Sequence, residues 1–185
     1  MTRTEFGSRM VLDGHKLGWH YDRVQAWEAG ERIAPVTIDM ALTRACDAAC
    51  GFCYAQLQES DRRVITAEVI DAFLEDSARM GVKGISLVSD GESLLSPVYV
   101  RTVQNGHSIG LNMASGTNGF RFSPDTLREV LPSLAYLRFN VSGGTPDRYC
   151  QIMGVKPAFW ERVIANIRTA VRIKREQSLA VTLGI

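Results

Sequence analysis

The chain has 185 residues, of which 45% are hydrophobic and 22% are charged, and its formal net charge at pH 7 is +1. This length suffices for one domain with a substantial core, and this composition excludes a long disordered segment. A near-neutral chain with scattered basic residues does not indicate a nucleic-acid partner, and the sequence has neither a secretory signal pattern nor a run of about 20 apolar residues that predicts a membrane span.

The first half of the chain predicts alternating strands and helices. Residues 35–42 alternate apolar and polar side chains after a proline, which is the pattern of a strand. Thr66 is suited to cap a helix that ends at Gly81, since threonine accepts a hydrogen bond from the first turn and glycine tolerates a left-handed helix end. A second strand is predicted at 84–89, a helix at 94–104 and a third strand at 109–114.

The second half continues the same alternation. Ser123, Pro124 and Asp125 combine an N-cap, a first-position proline and a first-turn acid, which predicts the start of a helix that runs to Leu131. A fourth strand is predicted at 136–142, a long helix at 157–174 and a fifth strand at 179–185.

This order of elements predicts a parallel α/β sheet, either open or bent toward a barrel. Ligands of such sheets bind at the carboxyl ends of the strands. Four polar or cysteine-containing segments follow predicted strands directly, at 46–53, 90–93, 117–119 and 142–144. Because an apolar strand at a sheet edge is normally covered, a last strand that ends with the chain predicts that further chain follows in the complete protein.

Three of the four cysteines, Cys46, Cys50 and Cys53, lie within eight residues. Without an export signal we expect free thiols and a cytoplasmic location. Thiolates at these spacings suit zinc or an iron–sulfur cluster, but a structural zinc site needs a fourth ligand, and His20, His107 and Cys150 lack metal-ligand spacing to this loop. The spacing therefore favours an open metal centre with three protein ligands.

The run Cys46-x-x-x-Cys50-x-Phe52-Cys53 after a first strand resembles the signature of the radical S-adenosylmethionine (radical SAM) superfamily. The resemblance implies a [4Fe-4S] cluster on the three cysteines, with S-adenosylmethionine chelating its fourth iron and Phe52 on the adenine side. It also implies an electron donor of the flavodoxin or ferredoxin type. Reductive cleavage of S-adenosylmethionine then gives a 5′-deoxyadenosyl radical, which abstracts hydrogen from a substrate.

Further segments are similar to this family. Asp90, Gly91, Glu92 and Ser93 resemble its Gly-Gly-Glu-Pro turn, which implies that Glu92 contacts the methionine amino group and that Gly91 lets backbone approach the ligand. Asn118 stands in a Thr-Asn-Gly turn that is common in these enzymes.

The fourth predicted strand resembles the family segment that hydrogen-bonds the ribose and the methionine carboxylate. The resemblance makes Asn140 and Ser142 candidates for these contacts and Arg138 a candidate for the carboxylate. Alternation places the three side chains on one face, which on a barrel strand faces the ligand cavity.

The resemblance covers roughly residues 13–185 and implies a partial (β/α)6 barrel at 36–185 that lacks the sixth strand. Residues 1–35 are expected to form a lead-in that packs on the first strand. The segment 142–154 is most similar to members that modify peptides or build cofactors, and Cys150 is expected to be a packing residue. The alternatives are a non-catalytic module that binds zinc or a cluster and an inactive truncated remnant.

Overall fold

The structure is a computed structural model that describes residues 16–57 and 64–185. The chain divides into two compact units, Met1–Pro35 and Val36–Ile185. Residues 1–15 of the predicted lead-in lie outside the described residues. Among the described residues, no helix is both long enough and apolar enough to cross a membrane.

The described part of the first unit is helical. A 3₁₀ helix, Lys16–His20, leads directly into helix α1, Tyr21–Glu28. Arg23 Nη1 donates a hydrogen bond of 3.0 Å to the carbonyl of Ala34, which ties the segment after the helix back onto it. The packing of this unit against the first strand of the barrel stays a prediction.

The second unit alternates strands and helices along its whole length. Its strands are β1 (Thr37–Asp39), β2 (Gly84–Leu87), β3 (Asn112–Thr117), β4 (Leu134–Phe139) and β5 (Thr182–Gly184). Its helices are α2 (Ala67–Arg79), α3 (Tyr99–Ser108), α4 (Pro124–Val130), α5 (Pro146–Met153) and α6 (Pro157–Glu176). Short 3₁₀ helices lie at Tyr54–Leu57, Ser93–Leu95 and Leu131–Ser133.

The five strands form one sheet in which every neighbouring pair is parallel. Their order in the sheet, β1-β2-β3-β4-β5, is their order in the chain. A doubly wound sheet reverses direction at a switch point, whereas a barrel sheet proceeds strand by strand. The helices pack next to one another in the order α2, α3, α4, α6 and α5. The predicted α/β fold with five strands in barrel order is thereby confirmed.

The predicted helix caps form as the sequence indicates. Thr66 Oγ1 accepts a hydrogen bond from the Val69 amide at 3.4 Å, and Gly81 follows the helix with a φ of +88°. Ser123 Oγ accepts from the Thr126 amide at 3.0 Å. Both helices therefore begin where the capping residue predicts.

Two predicted elements lie at different positions. The helix expected at 94–104 begins only at Tyr99, because Pro97 lacks an amide hydrogen and holds the preceding residue, Ser96, in an extended conformation with a ψ of 131°. The third strand begins at Asn112 rather than Ile109, since Gly110 closes helix α3 with a φ of +89°. Residues 109–111 therefore form the turn that ends helix α3, although the apolar pattern assigns them to the strand.

The other predicted strands also change in extent. Strands β1 and β5 are shorter than the alternating segments 35–42 and 179–185, and β4 begins two residues earlier and ends three residues earlier than 136–142. Alternation extends into the loops because loop residues next to a strand still pack on one side against the core.

Candidate functional site

A cavity of about 980 Å³ opens at the carboxyl ends of β2, β3 and β4 and is bordered by the loop that follows β1. This volume is at the upper end of the range for small-molecule sites. The cavity brings together nine of the predicted site residues, namely Cys46, Cys50, Phe52, Cys53, Gly91, Glu92, Asn118, Arg138 and Asn140.

The three cysteine thiols lie within electrostatic range of one another at one side of this cavity. Cys46 is exposed, while Cys50 and Cys53 are partly buried. Burial raises the pKa of the Cys50 thiol to about 11, and the neighbouring thiols of Cys46 and Cys53 contribute to the rise. In the described part of the chain, no three Cys, His, Asp or Glu side chains are gathered closely enough to hold a single metal ion.

The cysteine loop, residues 46–53, lies on the C-terminal end of α5. The amides of Ala49 and Gly51 donate hydrogen bonds of 3.0 Å to the carbonyls of Met153 and Ile152, respectively. These carbonyls are among the four that a helix end leaves without an intrahelical partner. Cys50 Sγ also lies 3.6 Å from the sulfur of Met153. The end of α5 therefore fixes the backbone around the middle cysteine.

A second set of contacts holds the loop from the side of β3. The carboxylate of Asp47 accepts a hydrogen bond of 2.7 Å from Asn118 Nδ2 and one of 2.6 Å from Arg121 Nε. The Asp47 side chain is 13% exposed and that of Arg121 is 54% exposed. We call these three residues the Asp47 clamp. The Asn118 side chain, which is predicted to bind cofactor, thus contacts the cysteine loop itself.

Glu92 lines the cavity but is only 3% exposed. Its Oε1 accepts from the Leu94 amide and from Thr117 Oγ1, and its Oε2 accepts from the Asn118 amide at 2.7 Å. Burial raises the pKa of Glu92, and these three donors oppose the rise. Since a carboxylate oxygen can accept two hydrogen bonds, Oε2 retains capacity for a donor from the cavity.

Gly91 brings the turn after β2 against the cysteine loop. Its φ is +74°, and an added Cβ would lie 2.8 Å from the carbonyl oxygen of Ala45 and closer still to that of Thr43. The amide of the next residue, Glu92, donates to the same Ala45 carbonyl at 2.8 Å. Gly91 therefore permits close approach to the protein's own backbone, whereas the predicted role was close approach to a ligand.

Three predicted cofactor-binding residues lie outside the cavity lining. Ser93 is 4% exposed, because it begins the 3₁₀ helix Ser93–Leu95 and points into the protein. The carboxylate of Asp90 lies 3.9 Å from Arg44 Nε and so faces a cation of the chain itself. Ser142 follows β4 by three residues, beyond the point at which the strand still borders the cavity.

The end of β4 supplies a cation to the cavity. Arg138 Nε donates to Asn140 Oδ1 at 3.1 Å, which orients the guanidinium along the strand. On the adjacent strand, a Cβ at Gly116 would lie at an ordinary contact distance of 3.5 Å from Arg138 Nη2 but only 2.8 Å from Val88 Cγ2, so the glycine leaves room for Val88 beside the arginine. Arg138 and Asn140 thus border the same cavity as the cysteines, as alternation predicts for one strand face.

Three residues that shape the cysteine loop are absent from the predicted site residues: Asp47, Arg121 and Met153. The clamp contacts join residues 71 and 74 positions apart, for which the sequence has no local signal. The helix that carries Met153 could have been predicted from the sequence. Thr145, Pro146 and Asp147 repeat the combination of N-cap, proline and acid that begins a helix.

The family model of the radical SAM superfamily matches residues 40–185. A probable GTP 3′,8-cyclase of Saccharolobus solfataricus is 25% identical over 135 residues, which cover 72% of this chain and 43% of the relative. The sporulation killing factor maturation protein SkfB of Bacillus subtilis is 27% identical over 128 residues, which cover 69% of this chain and 31% of the relative. The chain thus spans less than half the length of these curated relatives.

Solved structures show the same fold. SuiB of Streptococcus suis bound to its precursor peptide SuiA superposes with a TM-score of 0.68 at 17% identity, covering 88% of this chain and 37% of SuiB. SuiB bound to S-adenosylmethionine gives a TM-score of 0.64 at 16% identity, covering 89% and 39%. Because the family model matches well over half of the residues, the chain belongs to the radical SAM superfamily of enzymes.

Proposed function

We propose that Cys46, Cys50 and Cys53 are the ligands of a [4Fe-4S] cluster and that residues 36–185 form the S-adenosylmethionine-binding core of a radical SAM enzyme. The observation that carries this proposal is the meeting of the three thiols with Glu92 and Arg138 around one cavity of about 980 Å³. These residues come from three different loops and strand ends.

The residues present fit such a cluster. Thiolates are the usual ligands of iron–sulfur clusters, and three of them leave one iron without a protein ligand. The thiols are partly exposed at an open cavity, so the site has an entry path. When bound, the cluster supplies the electron that cleaves S-adenosylmethionine to methionine and a 5′-deoxyadenosyl radical.

The chain's own residues would then bind and orient S-adenosylmethionine. The free acceptor capacity of Glu92 Oε2 suits an ammonium group, and the Arg138 guanidinium suits a carboxylate. Phe52, which lines the cavity and is 64% exposed as a residue, offers an aromatic face for the adenine. Asn140 adds a polar group for a hydroxyl. These roles assign each end of the ligand to a different wall of the cavity.

The proposed electron donor is a protein of the flavodoxin or ferredoxin type, and the substrate class is a peptide or a small molecule of cofactor biosynthesis. The relatives are named for a GTP cyclisation and for the maturation of a killing factor. Because these names describe different reactions, they support a radical SAM core that this chain shares with both relatives, and they do not favour the substrate of either one.

Anaerobic reconstitution with iron and sulfide tests the proposal. We expect a brown protein with the iron and sulfide content of one [4Fe-4S] cluster, which cleaves S-adenosylmethionine when reduced. Alanine at Cys46, Cys50 or Cys53 is expected to abolish cluster binding, while Cys150→Ala, the matched control, keeps it. A colourless protein with a single zinc ion would instead support the non-catalytic binding module.

A further inference from the structure

Helix α6 places a buried side-chain amide, that of Asn166, behind the site. Asn166 is 9% exposed and lies outside the cavity lining. Its Nδ2 donates a hydrogen bond of 2.7 Å to the carbonyl of Gly119, which lies 47 positions earlier in the turn that follows β3. Burying a polar group costs free energy unless it is hydrogen-bonded, so this contact determines where the amide can lie.

The turn packs closely against α6 at the same residue. A Cβ added to Gly119 would lie 2.8 Å from Val163 Cγ2, and Val163 precedes Asn166 on α6 by less than one helical turn. The same Cβ would lie 2.7 Å from Phe139 Cδ1 of β4. The Gly119 carbonyl therefore has little room to turn away from the Asn166 amide.

The bond to Gly119 reaches the cysteine loop through one peptide group. The Gly119 carbonyl and the Phe120 amide lie in one plane, so a bond that fixes the carbonyl also fixes the direction of the amide hydrogen. The Phe120 amide donates to Asn118 Oδ1 at 3.1 Å. This bond turns the other end of the Asn118 side chain, Nδ2, toward Asp47, whose Oδ1 it contacts at 2.7 Å. Hydrogen bonds in series thus connect α6 to the cysteine loop.

The backbone amide of Asn118 is held by separate contacts. It donates to Glu92 Oε2 at 2.7 Å. The Thr117 carbonyl, which belongs to the same peptide group, accepts from the Asn140 amide at 2.8 Å. Neither contact involves Asn166, so the backbone of Asn118 serves as a reference for the effects of Asn166 on its side chain.

We propose that Asn166 is a positioning residue for the cysteine loop. Through the peptide that follows Gly119 it orients the side chain of Asn118, which in turn holds Asp47. Hydrogen bonds in series polarise one another, so loss of the first bond weakens those that follow. The consequence for cluster binding rests on the proposed function, whereas the effect on the loop does not. Asn166 touches neither cofactor nor substrate in this proposal.

Amide hydrogen exchange in the iron-free chain tests this role. Leucine has the branched shape of asparagine but cannot donate, so Asn166→Leu removes the first bond of the series. We expect exchange about 3- to 10-fold faster at Phe120 and at Ala49 and Gly51 of the loop, as the loss of one net hydrogen bond predicts. Exchange at the Asn118 amide is expected to change by less than about twofold.

Combination with Asp47→Ala separates the bond series from a general loosening of the protein. In Asp47→Ala the last bond of the series is already absent. Adding Asn166→Leu is then expected to accelerate exchange at Phe120 again, but to change exchange at Ala49 and Gly51 by less than about twofold. The response at Phe120 shows that the leucine still acts in this background.

Two further variants complete the comparison. Asn105→Leu is the matched control, because Asn105 also donates from a partly buried side-chain amide, to Asp71 at 2.8 Å, and joins α3 to α2 away from the loop. It is expected to leave exchange unchanged at the four amides. Asn166→Ser, whose side chain ends short of the Gly119 carbonyl, replaces the leucine variant if that variant does not fold, and the same pattern is expected from it.

The rate of cluster incorporation gives the functional readout. After addition of iron and sulfide, Asn166→Leu is expected to incorporate the cluster about 3- to 10-fold more slowly than wild type, since the loop is held less well before the metal arrives. In the Asp47→Ala background the same substitution is expected to leave the rate unchanged.

Each result decides the proposal. Wild-type exchange at Ala49 and Gly51 in a variant with accelerated Phe120 overturns it, and so does an equal acceleration at Asn118, which indicates general destabilisation. Acceleration of the loop amides that persists beside Asp47→Ala overturns it too, and an unchanged rate of incorporation overturns the role in cluster binding. Wild type that binds no cluster refutes the proposed function and is recognised by its iron content, while the exchange pattern still decides the effect on the loop.

Discussion

Removal of the Asp47 carboxylate is expected to loosen the cysteine loop before any metal binds. Asp47→Ala deletes the bond to the buried Asn118 amide, worth about 1.5–3 kcal/mol as a hydrogen bond to a charged group. The bond to the half-exposed Arg121 adds roughly 0.5–1 kcal/mol, because solvent screens a surface ion pair. We therefore expect the free energy that holds the loop closed to fall by about 2–4 kcal/mol.

Hydrogen exchange of the iron-free protein measures this loss directly. The amides of Ala49 and Gly51 are bonded to the carbonyls at the end of α5 and exchange only when the loop opens. A loss of 2–4 kcal/mol predicts exchange roughly 30- to 700-fold faster at these two amides. Cluster incorporation by Asp47→Ala is expected to be slower for the same reason.

The chain contains a matched control. Asp71 also accepts from an arginine and an asparagine, Arg101 and Asn105, but it joins α2 to α3 away from the cysteines. Asp71→Ala is expected to leave exchange at Ala49 and Gly51 unchanged. If Asp47→Ala changes exchange at these amides by less than about twofold, the backbone bonds to α5 suffice and the clamp does not hold the loop.

Three further predictions concern the turn after β2, the cavity and the acid stability. Gly91→Ala is expected to lower the melting temperature more than Gly110→Ala, since both glycines have positive φ but only Gly91 faces neighbouring carbonyl oxygens. Equal shifts in melting temperature would show that the turn after β2 moves to accommodate the added methyl group at no cost in stability. Glu92→Gln is expected to keep the cluster and weaken S-adenosylmethionine binding by about 1.5–3 kcal/mol, measured by titration of the reduced cluster; an unchanged midpoint would mean that Oε2 does not face the ligand. Hydrogen bonds from Arg101 and Asn105 lower the pKa of Asp71 from its ordinary 3.8 in the folded protein. The stability that the Asp71 carboxylate contributes is therefore present above pH 3.8 and is lost as the pH falls through the lowered pKa of the folded state. Asp71→Asn is therefore expected to be less stable than wild type in urea unfolding at pH 7 and equally stable at a pH below that value; a difference that persists in acid would contradict this reasoning.

Local sequence signals were enough to predict where a helix begins when a single capping residue determines that position. Thr66 and Ser123 cap their helices as expected because the capping bond joins residues three positions apart. The helix expected at 94–104 was misplaced, since the apolar pattern outweighed the effect of Pro97 on the residue before it. Strand ends were less predictable because alternation does not distinguish a strand from an extended loop packed on the same core.

The sequence by itself predicted the three cysteines as a ligand set and determined the cavity face of β4. Cys46, Cys50 and Cys53 lie within eight residues, and alternation alone places Arg138 and Asn140 on one side of a strand. Both signals come from residues close together in the sequence, so they can be recognised without knowing which distant segments pack against them.

Only the tertiary structure decided what holds the cysteine loop in place. The contact of Cys50 with Met153 joins residues 103 positions apart, and the Asp47 clamp spans more than 70 positions. Glu92 likewise receives two of its three donors from the end of β3. Such contacts form because parallel strands bring distant loops to the same edge of the sheet, and no periodicity within one segment encodes which partners meet there.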